Sequence, residues 1–379
     1  MYLDHSATTP LDSAVLDAMM PFLNEHHGNP GSPHRAGRIA RKAVERAREQ
    51  VAQLIGAEPR EILFSGSGTE ANNTAIGGLQ AQPEKDRTVV YSSAFEHHSV
   101  LEAVRHINPT TTPNEAFLSV TDQGFIDTEP LISFLRNKPR LVSVMLANNE
   151  IGTIQPLEAI GQICQEHSTL LHTDAVQAAG KIPIDVSVLS VDALTISAHK
   201  IHGPKGVGAL FIRHGGRLNP LIRGGAQESG LRAGTENVAN IVGFGHACQL
   251  ASEKIGSPWE STRRLRDELE TELQRVIPNI WINGSTQERL PHITNIAFEG
   301  LEGEAVMMAL DAEQIAVGTG SACSSGSLDP SHVLLAMGQS HKQAHAAIRI
   351  SLSQGTTRRE TATLIKVLPP IIERLRQER

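Results

Sequence analysis

Apolar positions along this chain fall into short runs that alternate with stretches of helical spacing. The runs Ile62–Phe64, Thr88–Tyr91, Leu141–Leu146, Leu170–His172, Ala193–Ile196 and Val207–Ile212 predict strands. Their alternation with helical patterns predicts a mostly parallel sheet of the α/β class. Between residues 35 and 55, Ile39, Ala43, Ala47, Val51 and Leu54 recur at helical spacing, and Gly56 ends the segment. The Arg and Lys residues of that segment predict a solvated face. From about residue 256 the pattern changes. Leu265, Leu269, Leu273 and Val276 mark an amphipathic helix, and strands are predicted near Ile293–Phe298 and Gln314–Val317. A last helix opens on the capping box Thr357-x-x-Glu360. Pro369-Pro370 predicts a kink or break within it, because proline removes a donor and clashes with the preceding turn. The expectation is a large domain over residues 13–255 and a smaller α+β domain made from 1–12 and 256–379.

Composition narrows the classes. The chain has 379 residues, enough for a large core and two domains. Its 34 basic and 41 acidic residues leave a net charge of −7, so no direct nucleic-acid partner is expected. Aromatic residues make up only 3%, which leaves the core to Ala, Leu, Ile and Val. The 17 histidines fall in no metal-ligand spacing, so no resident metal is expected. Three widely spaced cysteines argue against a disulfide framework and for a reducing compartment. The opening Tyr2-Leu3-Asp4-His5 has no signal-peptide character, and no apolar run approaches the ~18 residues of a membrane span. A cytoplasmic protein is expected.

Candidate chemistry concentrates at the ends of the predicted strands. Lys200, in Ser197-Ala198-His199-Lys200, follows the run Ala193–Ile196 and is placed for Schiff-base chemistry. Asp174 follows Leu170-Leu171 and is placed to hold a pyridinium nitrogen. Pyridoxal phosphate needs that pair, an amine and a fixed carboxylate. Taken singly, each residue is as readily a solvated strand-end charge. Ser65-Gly66-Ser67-Gly68-Thr69-Glu70 lies between a strand and the predicted helix Ala71–Leu79. Its glycines and the helix N-terminus suit a phosphate, with Thr69 adding a hydroxyl. The segment also matches the dinucleotide pattern G-x-G-x-x-A, but the next strand ends at Tyr91-Ser92-Ser93 without the acid a ribose needs. A plain turn remains the alternative. His97 could stack on a cofactor ring and move protons near neutral pH, although a lone histidine more often serves structure. Asn149 could present an amide, and Gln177 would share a face with Asp174 if a helix begins there. Cys323 stands in the Gly/Ser run 318–327, where little packing would hold it. Such a thiol is expected to be exposed; it is a nucleophile only as thiolate, and an incidental loop cysteine is the alternative. Arg349 is a lone cation in the apolar run Ala347–Ser351, and its planar fork suits a substrate carboxylate.

With these residues in view, the chain resembles the cysteine desulfurases, a family of class V aminotransferases with the type I fold of pyridoxal-phosphate enzymes. The resemblance runs through YLDHSATTP (2–10), HGNPGSPH (27–34), SGSGTEANN (65–73), EHHSV (96–100), NNEIG (148–152), HTDAVQAAGK (172–181), SAHKIHGPKGVG (197–208), IRGGAQE (222–228), RAGTEN (232–237) and GSACSSGSLDPSHV (320–333). These segments span nearly the whole chain. The Cys323 segment and the RGGAQE…RAGTEN block are similar to the nitrogen-fixation and housekeeping iron–sulfur group.

The resemblance implies pyridoxal 5′-phosphate carried on Lys200, with Asp174 at the ring nitrogen, Gln177 at the ring hydroxyl and His97 stacked on the ring. It implies Gly68, Thr69, Ser197 and His199 at the phosphate, and Thr235 reaching the phosphate of the partner subunit in a homodimer. Asn149 and Arg349 would hold L-cysteine, and Lys200 would shuttle its α-proton. Cys323 would attack the substrate sulfur, keep it as a persulfide, and pass it to a sulfur acceptor or iron–sulfur scaffold protein. A transient cluster ligand is a further implied role for Cys323. A selenocysteine or cystine lyase of the same fold is the alternative enzyme, and a non-catalytic sulfur carrier is the alternative outside catalysis. Two departures stand out. His5 occupies a position where many relatives carry Tyr or Asn. The chain also ends at Arg379, soon after its last predicted helix, whereas housekeeping members carry a further tail that helps dock a scaffold.

Overall fold

The computed structural model describes residues 1–81, 87–110, 112, 116–320 and 329–378. Twelve strands occur among them: β1 (Ile62–Ser65), β2 (Leu79–Gln80), β3 (Val90–Ser93), β4 (Phe117–Leu118), β5 (Leu141–Ser143), β6 (Leu170–Asp174), β7 (Ala193–Ser197), β8 (Gly208–Ile212), β9 (Arg217–Leu218), β10 (Ile280–Ile282), β11 (Ile293–Phe298) and β12 (Ala347–Ser351). Seven form the main sheet, in the order β1-β8-β7-β6-β5-β3-β4. Only β8 runs against the others, pairing antiparallel with both β1 and β7. The α/β class expected from the apolar runs is therefore the one observed.

Alternation along each strand sends successive side chains to opposite faces, and both faces are covered. Leu63, Val90, Leu141 and Leu210 pack under the helices Gly68–Gly78 and His98–Ile107. Their neighbours Phe64, Tyr91, Val142 and Phe211 face the other way, into a core shared with the helices Arg35–Ile55 and Val238–Glu253. Arg35–Ile55 ends as its sequence predicts: Gly56 takes a left-handed φ of 68° and its N–H bonds to the Ala52 carbonyl.

A further core gathers Leu269, Leu273, Ile296, Ile348, Leu364 and Leu368 around the antiparallel sheet β10-β11-β12. The first core also takes in Leu290, Ile293 and Val333, so the C-terminal part packs directly on the main sheet's layers. Leu3 belongs to the later core because the N-terminal segment crosses to it, forming bridges Tyr2–Ala316 and Asp4–Ser351.

Several expected elements come out differently. The strand expected at Thr88–Tyr91 is shifted to Val90–Ser93. Its last two residues are buried serines that pair with β4, so an apolar run could not mark them. At Gln314–Val317 there is no ladder, only single bridges at Ala316 and Gly318. Gln314 has a φ of 59°, and the segment turns from one partner, the N-terminus, to another, β12. Strand β10 carried too short an apolar run to be read. The helix expected at Ala71–Leu79 starts earlier, at Gly68, because Ser67 caps it by accepting the Glu70 amide at 3.1 Å. Pro369-Pro370 does not break the last helix, which is continuous over Arg358–Gln377. Interior proline costs about 3 kcal/mol or more. Leu364, Leu368, Ile371 and Ile372 are buried on both sides of the pair, each worth ~1.5–3 kcal/mol, and together they outweigh that cost.

One glycine is fixed by close approach. Gly208 lies opposite both Ser65 of β1 and Ser197 of β7. A Cβ there would stand 2.7 Å from the Ser67 carbonyl carbon and 2.9 Å from the Gly68 amide. Both are backbone atoms and cannot rotate away. Gly208→Ala is therefore expected to lower stability by about 1–3 kcal/mol, read as a fall in the urea midpoint. An unchanged midpoint would show that the turn at 66–68 yields freely.

Candidate active site

The carboxyl ends of β1, β3, β5, β6 and β7 open onto one cleft of ≈ 500 Å³. Ligands of open α/β sheets collect at this edge, because loops there leave parallel strands side by side. The cleft is lined by Gly68, Thr69, His97, Asn149, Asp174, Gln177, Ser197, His199, Lys200 and Arg349. All but two of the residues singled out from sequence are thus brought together. Thr235 stands exposed and outside this cleft. Cys323 lies outside the described residues.

Asp174 is the last residue of β6 and only 5% exposed. One oxygen accepts the Val176 amide at 2.9 Å, and the other accepts the Asn72 side-chain amide at 2.7 Å. Asn72 also donates to the Ser99 hydroxyl at 2.8 Å, which lies 2.8 Å from His97 Nδ1. The Ser99 amide donates to that same Nδ1 at 3.1 Å, so neutral His97 carries its proton on Nε2. Burial pushes the His97 pKa down, while Asp174 acts in the opposite direction. Gln177 follows in a turn rather than the helix considered from sequence, and its amide donates to the Ser6 carbonyl at 2.9 Å.

Lys200 ends a short 3-10 turn after β7. Its Nζ donates to the carbonyls of Ser6 and Ala7 at 2.5 and 2.7 Å. His199 Nδ1 is 3.1 Å from the Thr8 hydroxyl. Burial, reinforced by Lys200 and Lys205, lowers the His199 pKa to about 4, so its ring is neutral at pH 7. Gly68 and Thr69 begin their helix, where the first amides have no intrahelical acceptor. The other end of that helix is secured by Arg140, which donates to the Ile76 carbonyl at 2.7 Å.

Arg349 has the anion partner its isolation predicts, but the partner is Asp4 of the same chain, at 2.6 Å. Its other terminal nitrogen donates to the Asn149 carbonyl at 3.1 Å, and its Nε has no hydrogen-bond partner among the described residues. The fork is thus held from one side rather than standing alone.

Sequence reasoning missed Ser6, Ala7, Thr8, Asn72, Ser99, Lys205 and Gly206. The signal for Asn72 was present, since it falls within the helix expected at Ala71–Leu79, one turn after Gly68. Ser6–Thr8 lie in the family-like segment 2–10, but their place beside Lys200 depends on that segment folding back from the other end of the chain.

Comparison with known proteins bears on this geometry. Residues 1–364 match the family described as Aminotransferase class-V. The chain belongs to that family. A cysteine desulfurase of Trichormus azollae is 46% identical over 377 residues, covering 99% of this chain and 94% of the relative. A solved NifS-like protein superposes with a TM-score of 0.90 at 36% identity, covering 99% of this chain and 100% of that one. A structure described as SspA in complex with cysteine has a TM-score of 0.81 at 34% identity, covering 94% and 99%. Within the class V aminotransferases, the chain stands with the cysteine desulfurases, and pyridoxal phosphate is a property of that family.

Glu96 holds the loop that presents His97. It is fully buried, accepts the Ser93 hydroxyl, and accepts the Met145 amide at 2.7 Å. Burial raises its pKa from 4.5 to about 8. The folded value lies above the unfolded one, so its stabilising contribution is complete below 4.5 and is lost as pH rises toward about 8. Relative to Glu96→Gln, the wild type is expected to lose stability steadily across that window. Urea midpoints of both proteins against pH measure the difference, and parallel curves would show that Glu96 is already ionised.

Proposed function

We propose that this protein is a pyridoxal-phosphate-dependent cysteine desulfurase, which takes sulfur from L-cysteine, releases L-alanine, and holds the sulfur on Cys323 for an acceptor. The observation that carries the reading is the convergence of Lys200, Asp174, His97 and Arg349 on one cleft, in a chain that aligns over almost its full length with cysteine desulfurases.

The residues present fit the cofactor. Asn72 Oδ1 and Gln177 Oε1 are buried in the cleft wall without hydrogen-bond partners among the described residues, as groups meant for a ligand would be. Gly68 leaves its Cβ position 3.2 Å from Val176 and 3.5 Å from Ser197, so a side chain there would crowd the phosphate end. When bound, pyridoxal 5′-phosphate supplies an electron sink for the substrate α-carbon. Gly68, Thr69, Ser197 and neutral His199 would hold the phosphate, Asp174 the ring nitrogen, Gln177 the ring hydroxyl, and His97 the ring face.

This chain's own groups then do the following. Arg349 and Asn149 orient the L-cysteine carboxylate, with Asp4 keeping the guanidinium in position. Lys200 Nζ takes the α-proton, close to the carbonyls of Ser6 and Ala7 that steer it. The Cys323 thiolate attacks the substrate sulfur. An S–S bond forms, the C–S bond breaks, and its electron pair stays with the carbon skeleton. Protonation of that skeleton gives L-alanine, so L-cysteine and a thiol become L-alanine and a persulfide. The chain is read as two domains, 13–255 and 1–12 with 256–379, and the cleft takes residues from both.

A homodimer and a cytoplasmic setting complete the reading. Thr235 is exposed and free to face a partner's cleft, and Leu16, Met20 and Leu23 form an exposed apolar stripe on the helix Ser13–Asn24. Cys164 and Cys248 are free and buried, as in proteins kept reduced. No helix among the described residues is long and apolar enough to cross a membrane. The sulfur acceptor is an iron–sulfur scaffold or a thiolation partner.

Three variants test the chemistry. Lys200→Ala is expected to lose the cofactor linkage fixed by borohydride, and fixation on Lys205 instead would refute the assignment. Cys323→Ser is expected to bind cofactor and L-cysteine, yet to form no persulfide and release L-alanine far below the wild-type rate. Full activity in Cys323→Ser, with labelled sulfur on Cys164 or Cys248, would overturn the mechanism. Arg349→Ala is expected to weaken L-cysteine binding by about 2–5 kcal/mol while cofactor absorbance persists, and an unchanged KM would show that Arg349 only anchors Asp4.

A further inference from the structure

Lys200 lines a second cavity, of ≈ 430 Å³, besides the cleft. Three buried polar side chains line it as well: His5, Lys181 and His292, with exposures of 9%, 5% and 0%. Neither ring nitrogen of His292 has a hydrogen-bond partner among the described residues, and neither does His5 Nδ1. Lys181 Nζ donates to the Lys200 carbonyl at 3.1 Å. Burial, and after it the positive charge of Lys200, lower the Lys181 pKa to about 7, so its charged form has no stabilising partner charge in the cavity. The carboxylates near the cavity are engaged elsewhere. Asp12 accepts the Ala14 amide and lies 4.0 Å from Lys254, while Glu360 caps the last helix through Thr357. Of the other titratable neighbours, His202 has its Nδ1 3.0 Å from the Pro10 carbonyl, and Tyr2 donates its hydroxyl to the Thr8 carbonyl at 3.2 Å. A buried ammonium without a counter-charge and a buried imidazole without a partner are both costly, and one anion relieves both.

Apolar Leu250, Trp259 and Leu352 also line it, beside the polar Thr9, Ser353, Gln354 and Thr356. The Trp259 ring packs on His292 with centroids 5.4 Å apart, and its Nε1 donates to the Gly180 carbonyl at 2.7 Å. Cation and apolar wall together select a ligand with one carboxylate and a short aliphatic body.

We propose that this cavity is a binding site for a small organic monocarboxylate, its carboxylate held by Lys181 and His292 and its aliphatic part packed against Trp259 and Leu250. The site is separate from the Arg349 end of the cleft. Because Lys181 also holds the Lys200 carbonyl, occupancy bears directly on the backbone that carries Lys200.

Trp259 reports on its own site. The chain has two tryptophans, so Trp281→Phe leaves Trp259 as the single indole. In the cofactor-loaded protein with that change, sodium butyrate is expected to shift Trp259 emission saturably, and sodium chloride at equal ionic strength is not. The response should survive Arg349→Lys, weaken at least about tenfold in Lys181→Met, and vanish in Leu250→Phe, which fills the cavity without touching the charge. If Lys181→Met does not fold, Leu250→Phe decides. A linear response, an equal response to chloride, or a response lost in Arg349→Lys but kept in Lys181→Met or Leu250→Phe would overturn the proposal.

Discussion

The fold closes through a strap of backbone, residues 3–9. Leu3 donates to the Ala316 carbonyl and accepts the Ser351 amide, both at 2.8 Å, and His5 and Ser6 continue the pairing onto Ser351. The same strap then meets the other end of the cleft. Thr9 donates its amide and hydroxyl to the His199 carbonyl, at 3.0 and 2.9 Å, and Ser6 offers its carbonyl to both Lys200 and Gln177. Each bond alone is worth on the order of 1 kcal/mol. Together they fix Lys200, in the turn after β7 of the main sheet, relative to Arg349 on β12, and the Asp4–Arg349 ion pair lies on that same line.

Around the strap, the cleft is built from charges and dipoles held in place by burial rather than by many ion pairs. His172 spans the main sheet, with its ring nitrogens 2.8 Å from the Ser143 hydroxyl on β5 and 3.1 Å from the Thr195 hydroxyl on β7. Burial lowers its pKa to about 3, so it is a neutral cross-strand tie beneath Asp174. Glu150, also buried, has its pKa raised to about 7 and accepts the Ser331 hydroxyl at 2.5 Å. That contact draws residue 331 toward the loop carrying Asn149. Low local dielectric makes each of these groups sensitive to its neighbours, which is the condition acid–base chemistry requires.

The block 222–237, which holds two of the family-like segments, is also secured by charge. Arg48 forms a two-pronged pair with Glu228, whose oxygen also accepts the Phe64 amide at 2.9 Å. Arg232 donates to Glu70 at 2.8 Å, and Glu70 in turn accepts the Gly66 amide. The basic face of the helix Arg35–Ile55 is thus not wholly solvated: Arg48 turns inward to hold the block that carries Thr235.

The sequence by itself determined the α/β sheet class, the strand-end placement of Lys200, Asp174 and His97, and the strand-to-helix turn before Gly68. These follow from local rules, namely apolar runs, caps and the chemistry a strand end can present. It also carried the family, since that rests on motifs readable in order. Tertiary structure alone decided that Asn72 and Ser99 link Asp174 to His97, that Asp4 pairs with Arg349, and that two prolines ride within an unbroken helix. It alone brought His5, Lys181 and His292 to one cavity. Each of these outcomes joins residues far apart in the chain, and the energy that selects them, burial of polar groups beside particular partners, exists only once the chain has closed.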